Sequence, residues 1–439
     1  MAIPPKLVSS SSSSFPTTAR GSSEEGLANK LWIKFRRESI FAMYTPFVVC
    51  LAAGNLKIET FRHCISQDFH FLKAFAHAYK LAEECADDDA KLAITKLRKG
   101  VLEELKMHNS FVQEWGIDPS KEETINYATV RYTDFLLATA SGKVEAKELQ
   151  ALVDSEDGSH PYKKWIDNYS SEGISSATED LLDNLSIPLT SEELDIIEKL
   201  YHQAMKLEIE FFNVQPLSQP TVVPLTKEHN PVEDRLVIFS DFDLIHAFLT
   251  PLPFWQRLQF GVHYEVLCKA LEQLSDFERK ANARVVESGV LKGLNLEDIK
   301  RAGGLDVLNI HANEFSFEVS ISTGEIIKKV ESPRDKVQAF NNILKNYSTD
   351  RKNLTVYIGD SVGDLLCLLQ ADIGIVIGSS LSLRRVGNQF GVSFLPLFPG
   401  LVKKQKEYIK ESSSTWKGQS GTLYTVSSWA EIHAFILGW

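Results

Sequence analysis

The sequence has little of what would place it in a disulfide-built, membrane-spanning or polyanion-binding class. Cysteine is sparse: Cys50, Cys64, Cys85, Cys268 and Cys367 are scattered, odd in number and form no CxxC pair. That pattern fits reduced thiols in an intracellular compartment and supplies no zinc site. Apolar runs long enough to cross a bilayer are missing. Basic residues do not predominate, and the net charge of −11 argues against nucleic acid or an anionic membrane as partner, though not against a phosphorylated small molecule at a locally positive site. Acidic residues are absent before Glu24, in an opening rich in Ser, Pro and Thr whose basic residues are Lys6 and Arg20. Such a segment fits an organelle transit peptide or a plain disordered tail, hence a mitochondrial or a cytoplasmic location.

What is there is ample core-forming material. With 439 residues, 44% of them hydrophobic, the chain has room for two or three globular domains. After a tail over residues 1–22, the periodicity from 23 to 214 is helical throughout. One long helix is expected from the Ser22–Glu25 capping signature to Gly54, kinked at Pro46. Further helices are expected over about 57–85, 91–115, 121–140, 160–169 and 178–185, then from the capping box Thr190–Glu193 to Phe212. This part is expected to be an all-α bundle. Residues 215–233, with four prolines, are expected to be a linker. From 234 to 439 the pattern becomes strand, turn, helix, which implies an α/β domain with a parallel sheet.

Two stretches of the second half carry chemistry. RLVIFSDFDL ends an apolar strand in Asp241 and Asp243. LTVYIGDSVGD ends another in Asp360, with Asp364 four residues on and glycines at 359 and 363. An N-cap accounts for one aspartate of the second pair and leaves the other unexplained. Ligand chemistry in open α/β sheets sits outside the carboxyl ends of the strands. If the two acidic strands are neighbours, four carboxylates converge with Lys336, which a hard divalent cation such as Mg²⁺ would neutralise. Nucleophilic attack by a carboxylate on phosphorus is the chemistry such a set suits.

In the first half, three inward helix faces are interrupted by polar groups. Asp68 falls in the stripe Phe61, Ile65, Leu72, Phe75, Tyr79; Glu208 falls in Ile197, Tyr201, Ala204, Phe211; Tyr132 joins Ile125, Ala128 and Phe135. Any one of these could sit at a stripe edge and reach water. Together they suggest an internal polar pocket.

The motifs FSDFDL, Lys336 and GDSVGD resemble those of haloacid-dehalogenase-type (HAD) phosphatases. The resemblance implies Asp241 as nucleophile, Asp243 as general acid/base, Lys336 as the phosphate-charge stabiliser, and Mg²⁺ held by Asp241, Asp243 and Asp360 with Asp364 in support. QDFHFL, RYTDFL, HPYKKWIDNYSS and the E-x-x-F-F at Glu208 resemble the TenA (thiaminase II) family. There the resemblance implies a pocket of Asp68, Phe71, Tyr132 and Tyr169 for an aminopyrimidine, Glu208 as acid/base, and a homo-oligomer. The fusion resembles the plant bifunctional thiamin-salvage proteins, whose second domain dephosphorylates thiamin monophosphate. Two family features have no counterpart in the sequence. A strand ending in Ser or Thr, which holds the transferring phosphate, is not found between Leu244 and Gly303, where the nearest candidate, Val285–Ser288, lies in helical sequence. The TenA cysteine is absent between the Tyr132 and Tyr169 segments. A shortened form of a longer product is therefore expected, with a reduced cap and an incomplete sheet. Three readings follow: a bifunctional hydrolase of thiamin salvage, a catalytically impaired isoform that binds aminopyrimidines, and a HAD phosphatase acting on another phosphometabolite.

Overall fold

The computed structural model describes residues 26–86, 88–114, 116, 125–138, 162, 182–183, 189–228, 234–241, 264–289, 292–295, 313–346, 352–408 and 421–439. The chain divides into two compact units. The first comprises Met1–Glu228, Leu401–Ser413 and Ala430–Trp439; the second comprises His229–Gly400 and Ser414–Trp429.

The first unit is helical. Its opening is three helices rather than one kinked helix: α1 (Leu27–Lys34), α2 (Arg36–Met43) and α3 (Pro46–Ala52). Phe35 and Tyr44 leave helical geometry between them, and Pro46 starts α3 at its first turn, where its missing N–H costs nothing. Two long helices follow, α4 (Ile58–Cys85) and α5 (Asp88–Glu114), then α6 (Tyr127–Ala138) and α7 (Ser191–Asn213). The Thr190–Glu193 capping box forms at the start of α7 as the sequence predicts. Helices expected over 160–169 and 178–185 lie outside the described residues, apart from Tyr162, Leu182 and Asp183.

The proline-rich stretch after α7 is not a solvated tether. Val222, Val223 and Leu225 are fully buried. Buried Gln405 accepts from the Val222 N–H at 2.8 Å and donates to the Pro220 carbonyl at 3.1 Å, while its own carbonyl accepts from Asn55 Nδ2 at 2.6 Å. Pro224, buried beside Val223 and Leu225, brings no N–H that burial would strand.

The second unit holds two sheets. In chain order the elements from Asp234 onward are β1 (Asp234–Ser240), α8 (Tyr264–Glu287), β2 (Lys292–Asn295), β3 (Glu314–Glu318), β4 (Ile321–Ile327), α9 (Pro333–Asn346), β5 (Lys352–Gly359), α10 (Leu365–Gln370), β6 (Ile373–Ile377), α11 (Leu381–Gln389), β7 (Ser393–Pro396), α12 (Leu397–Tyr408), β8 (Thr422–Val426) and α13 (Trp429–Ile436), of which α12 beyond Gly400 and α13 beyond Trp429 belong to the first unit. The larger sheet runs β1-β5-β6-β8-β7, and every described pairing in it is parallel. The smaller, β2-β4-β3, is antiparallel and was not foreseen. Val285–Ser288 is the end of α8, where the Ser288 hydroxyl donates to the Val285 carbonyl at 2.6 Å. Among the described residues no strand pairs with the outer edge of β1, and Ile238 there is 47% exposed.

The last helix, α13, belongs to the first unit from Ala430 on, with the C-terminal residues after it. Phe41 of α2 meets His433 and Trp439 edge-on, with centroids 5.0 and 5.2 Å away, and the Tyr44 hydroxyl donates to Glu431 at 3.2 Å. Phe435 in this helix is fully buried. Truncating it to alanine should cost about 3–5 kcal/mol, read as an earlier denaturant midpoint in the full chain.

Candidate functional site

Register brings the two acidic strand ends together. β1 and β5 pair from Asp234↔Lys352 to Ser240↔Ile358, and the Asp241 N–H then donates to the Ile358 carbonyl at 2.9 Å. Asp241 and Asp360 therefore leave the sheet side by side at its carboxyl edge. The turn after β5 folds Asp364 back beneath them. Ser361 and Asp364 form a capping box, with the Asp364 carboxylate accepting from the Ser361 N–H at 3.0 Å and its hydroxyl at 2.6 Å. Gly359 is required by packing: a Cβ there would lie 2.7 Å from Cβ of Asp364. The cap reading thus explains one role of Asp364 and leaves Asp360 without one.

Lys336, at the start of α9, donates to Asp241 Oδ2 and to Asp364 Oδ1, both at 3.0 Å. Burial would lower the pKa of its ammonium, but the charges of Asp364 and Asp241 outweigh that and raise it. The same burial, followed by the Asp364 charge, pushes Asp241 up to about 6. Burial opposes ionisation of Asp364 too, yet Lys336 and the bonds from its neighbours hold it below the usual range. Among the described residues, Lys336 is the cation that pairs with Asp241 and Asp364. Carboxylate oxygens of Asp241, Asp360 and Asp364 lie within 4.8 Å of one another, a hard-oxygen set that suits Mg²⁺. Asp243 lies outside the described residues. Tyr357 and Ser361, which sequence reasoning missed, complete the hydrogen bonding around Asp364.

The helical unit gathers a second polar cluster. All six positions of the predicted α4 stripe (Phe61, Ile65, Asp68, Leu72, Phe75, Tyr79) are buried, as are Tyr201, Ala204, Glu208 and Phe211 of α7. On α6 the buried face is Ala128, Thr129, Tyr132 and Leu136; Ile125 precedes the helix and is exposed, contrary to expectation. The Tyr132 hydroxyl donates to Glu208 Oε2 at 2.9 Å, and the Phe71 and Tyr132 rings are 4.7 Å apart. Asp68 is paired with a group the sequence reading missed: His108 Nε2 of α5 lies 3.0 Å from Asp68 Oδ2, both side chains being buried. The spacing Leu97, Val101, Glu104, His108 sets it on one buried face, a period that names no partner for it. Tyr132 is raised strongly by burial and then by Glu208, with Asp68 adding to the effect. Cys64, one turn before Asp68, is fully buried; burial first, then Asp68 and Glu208, raise its pKa. It is held as a thiol and is a poor nucleophile. Tyr169 lies outside the described residues.

The TENA/THI-4/PQQC family matches residues 39–216. The bifunctional TH2 protein, mitochondrial, of Arabidopsis thaliana is 52% identical over 570 aligned positions, covering 98% of this chain and 91% of that protein. That alignment is longer than this chain, so the relative carries segments that this chain lacks. An aminopyrimidine aminohydrolase of Helicobacter pylori is 25% identical, over 38% of this chain and 88% of that protein. A solved TenA homologue from Pyrococcus furiosus covers 43% of this chain and all of its own, at 20% identity and a TM-score of 0.38. The chain belongs to the family of the bifunctional TH2 protein, and its helical unit carries the TENA/THI-4/PQQC domain.

Proposed function

We propose that this is a bifunctional hydrolase of thiamin salvage, releasing phosphate from thiamin monophosphate in the second unit and handling aminopyrimidines in the first. The observation that carries the phosphatase half is the convergence of Asp241, Asp360 and Lys336 at the carboxyl edge of neighbouring parallel strands. Asp241 is the nucleophile: its carboxylate oxygen forms a bond to phosphorus as the ester oxygen leaves. Asp243 protonates the leaving oxygen and then draws a proton from the water that hydrolyses the acyl phosphate. Lys336 faces the phosphoryl oxygens with its positive charge, held by Asp364. Asp241 and Asp360, with Asp243, would hold Mg²⁺, which when bound supplies charge neutralisation for the phosphoryl group. In the helical unit, Asp68 with Phe71 and Tyr132 takes up the aminopyrimidine ring, and Glu208 moves the proton. A mitochondrial location follows the name of the Arabidopsis relative.

One set of observations favours a second reading, a binding isoform with little turnover. The Cys64 thiol is held protonated by burial and by the charges of Asp68 and Glu208. Assaying phosphate release from thiamin monophosphate and aminopyrimidine binding on the same preparation separates the two readings.

The metal half of the proposal has its own test. Millimolar Mg²⁺ should raise the melting temperature of the full chain by several degrees, since a ligand at about 100 times its Kd stabilises by about 2.7 kcal/mol. Asp360→Asn should remove that shift.

A further inference from the structure

Tyr357 lies on β5 three residues before Asp360, and its ring is built into the framework of the phosphoryl site. Phe239, two residues before Asp241, is its register partner on β1, and the two rings stack with centroids 6.5 Å apart. Phe340, one turn beyond Lys336 on α9, packs 4.4 Å from Phe239 and 6.2 Å from Tyr357. The aromatic trio therefore fixes the helix that carries Lys336 against the two strands that carry the aspartates. At the far end of the ring, the Tyr357 hydroxyl donates to Asp364 Oδ1 at 3.2 Å, the same oxygen that accepts from Lys336 at 3.0 Å. Oδ2 is held separately by Ser361.

We propose that Tyr357 is a positioning residue of this site: its hydroxyl fixes the Asp364 oxygen on which the Lys336 ammonium is anchored, and so aims that ammonium at Asp241. A lysine carries its charge on a flexible four-carbon stem, so its direction is set by what holds its tip. A carboxylate torsion is soft and roughly two-fold. Ser361 alone leaves Oδ1 to swing, whereas donors on both oxygens lock the plane. The inference rests on the phosphoryl-transfer reading for its consequence, but its geometry stands independently.

Two arms test it, both on the full chain. In the first, Tyr357→Phe, Lys336→Met and the double variant are assayed on thiamin monophosphate with Mg²⁺. Tyr357→Phe should lower kcat about tenfold, as misplacing a charge-stabilising group does, and should add little to the loss already caused by Lys336→Met. Equal losses in both backgrounds would mean that the hydroxyl serves only the fold, and would overturn the proposal. In the second arm, crystal structures of the metal-free wild type and Tyr357→Phe are compared. The aromatic stack should persist while the Lys336 ammonium leaves Asp364; an unchanged Lys336 between both carboxylates would overturn the proposal. Should the wild type hydrolyse no phosphate ester, the phosphatase reading fails, and the crystallographic arm still decides the role of Tyr357.

Discussion

Asp241→Asn should abolish phosphate release from thiamin monophosphate while leaving the chain folded. The amide lacks the nucleophilic oxygen anion, and removal of a covalent nucleophile costs on the order of 10⁴-fold or more in kcat. The fold has reasons to tolerate the change. Asparagine has the same shape, and its carbonyl can still accept from Lys336, which keeps its bond to Asp364. The substitution also removes one of three neighbouring acids, the one that burial and the Asp364 charge push up to about 6. A melting temperature within a few degrees of wild type, alongside lost turnover, places the effect on chemistry. A large loss of stability would instead mean that Asp241 is chiefly a structural partner of Lys336.

Glu208→Gln should have the second-largest effect, in the other unit. The glutamine carbonyl can still accept from the Tyr132 hydroxyl, which now donates to Glu208 at 2.9 Å, so the helix faces should remain closed. What is lost is the proton. General acid–base catalysis is worth about 10²–10⁴-fold, and aminopyrimidine turnover should fall by that amount. Ligand affinity should change little, since Asp68, Phe71 and Tyr132 are untouched. Steady-state hydrolysis and calorimetric binding on the same variant separate the two effects. If wild-type turnover is already negligible and the variant binds as wild type does, the binding-isoform reading gains.

The site was most legible in the sequence where local pattern and chemistry coincide. Two apolar runs, each ending in aspartate before a turn, are enough to define parallel strands with acids at their carboxyl ends, and the register of β1 with β5 bears out their pairing. The stripe from Phe61 to Tyr79 is likewise a period that any amphipathic helix must obey. His108 was hidden because a histidine in a buried stripe carries no meaning until its partner, Asp68, is supplied by another helix. The hairpin of β3 and β4 was hidden for a different reason. Its turn is made by Val319, a β-branched residue at φ 61 that is fully exposed, where glycine or asparagine would have announced it. The long first helix failed at Phe35 and Tyr44, residues without breaking propensity, whose departure from helical geometry is set by tertiary packing. The fate of residues 215–228 was also tertiary: their prolines suggest a linker, and buried Gln405, nearly two hundred residues away, turns them into part of the core.

The central claim is that Asp241, Asp360 and Lys336 form a working Mg²⁺-dependent phosphoryl site in this chain. It is tested most directly by inorganic phosphate released from thiamin monophosphate by the purified full chain, with Mg²⁺ and then with excess chelator. The account predicts steady release with the metal and loss of release on chelation. A well-folded chain that releases no phosphate at any Mg²⁺ concentration would contradict it.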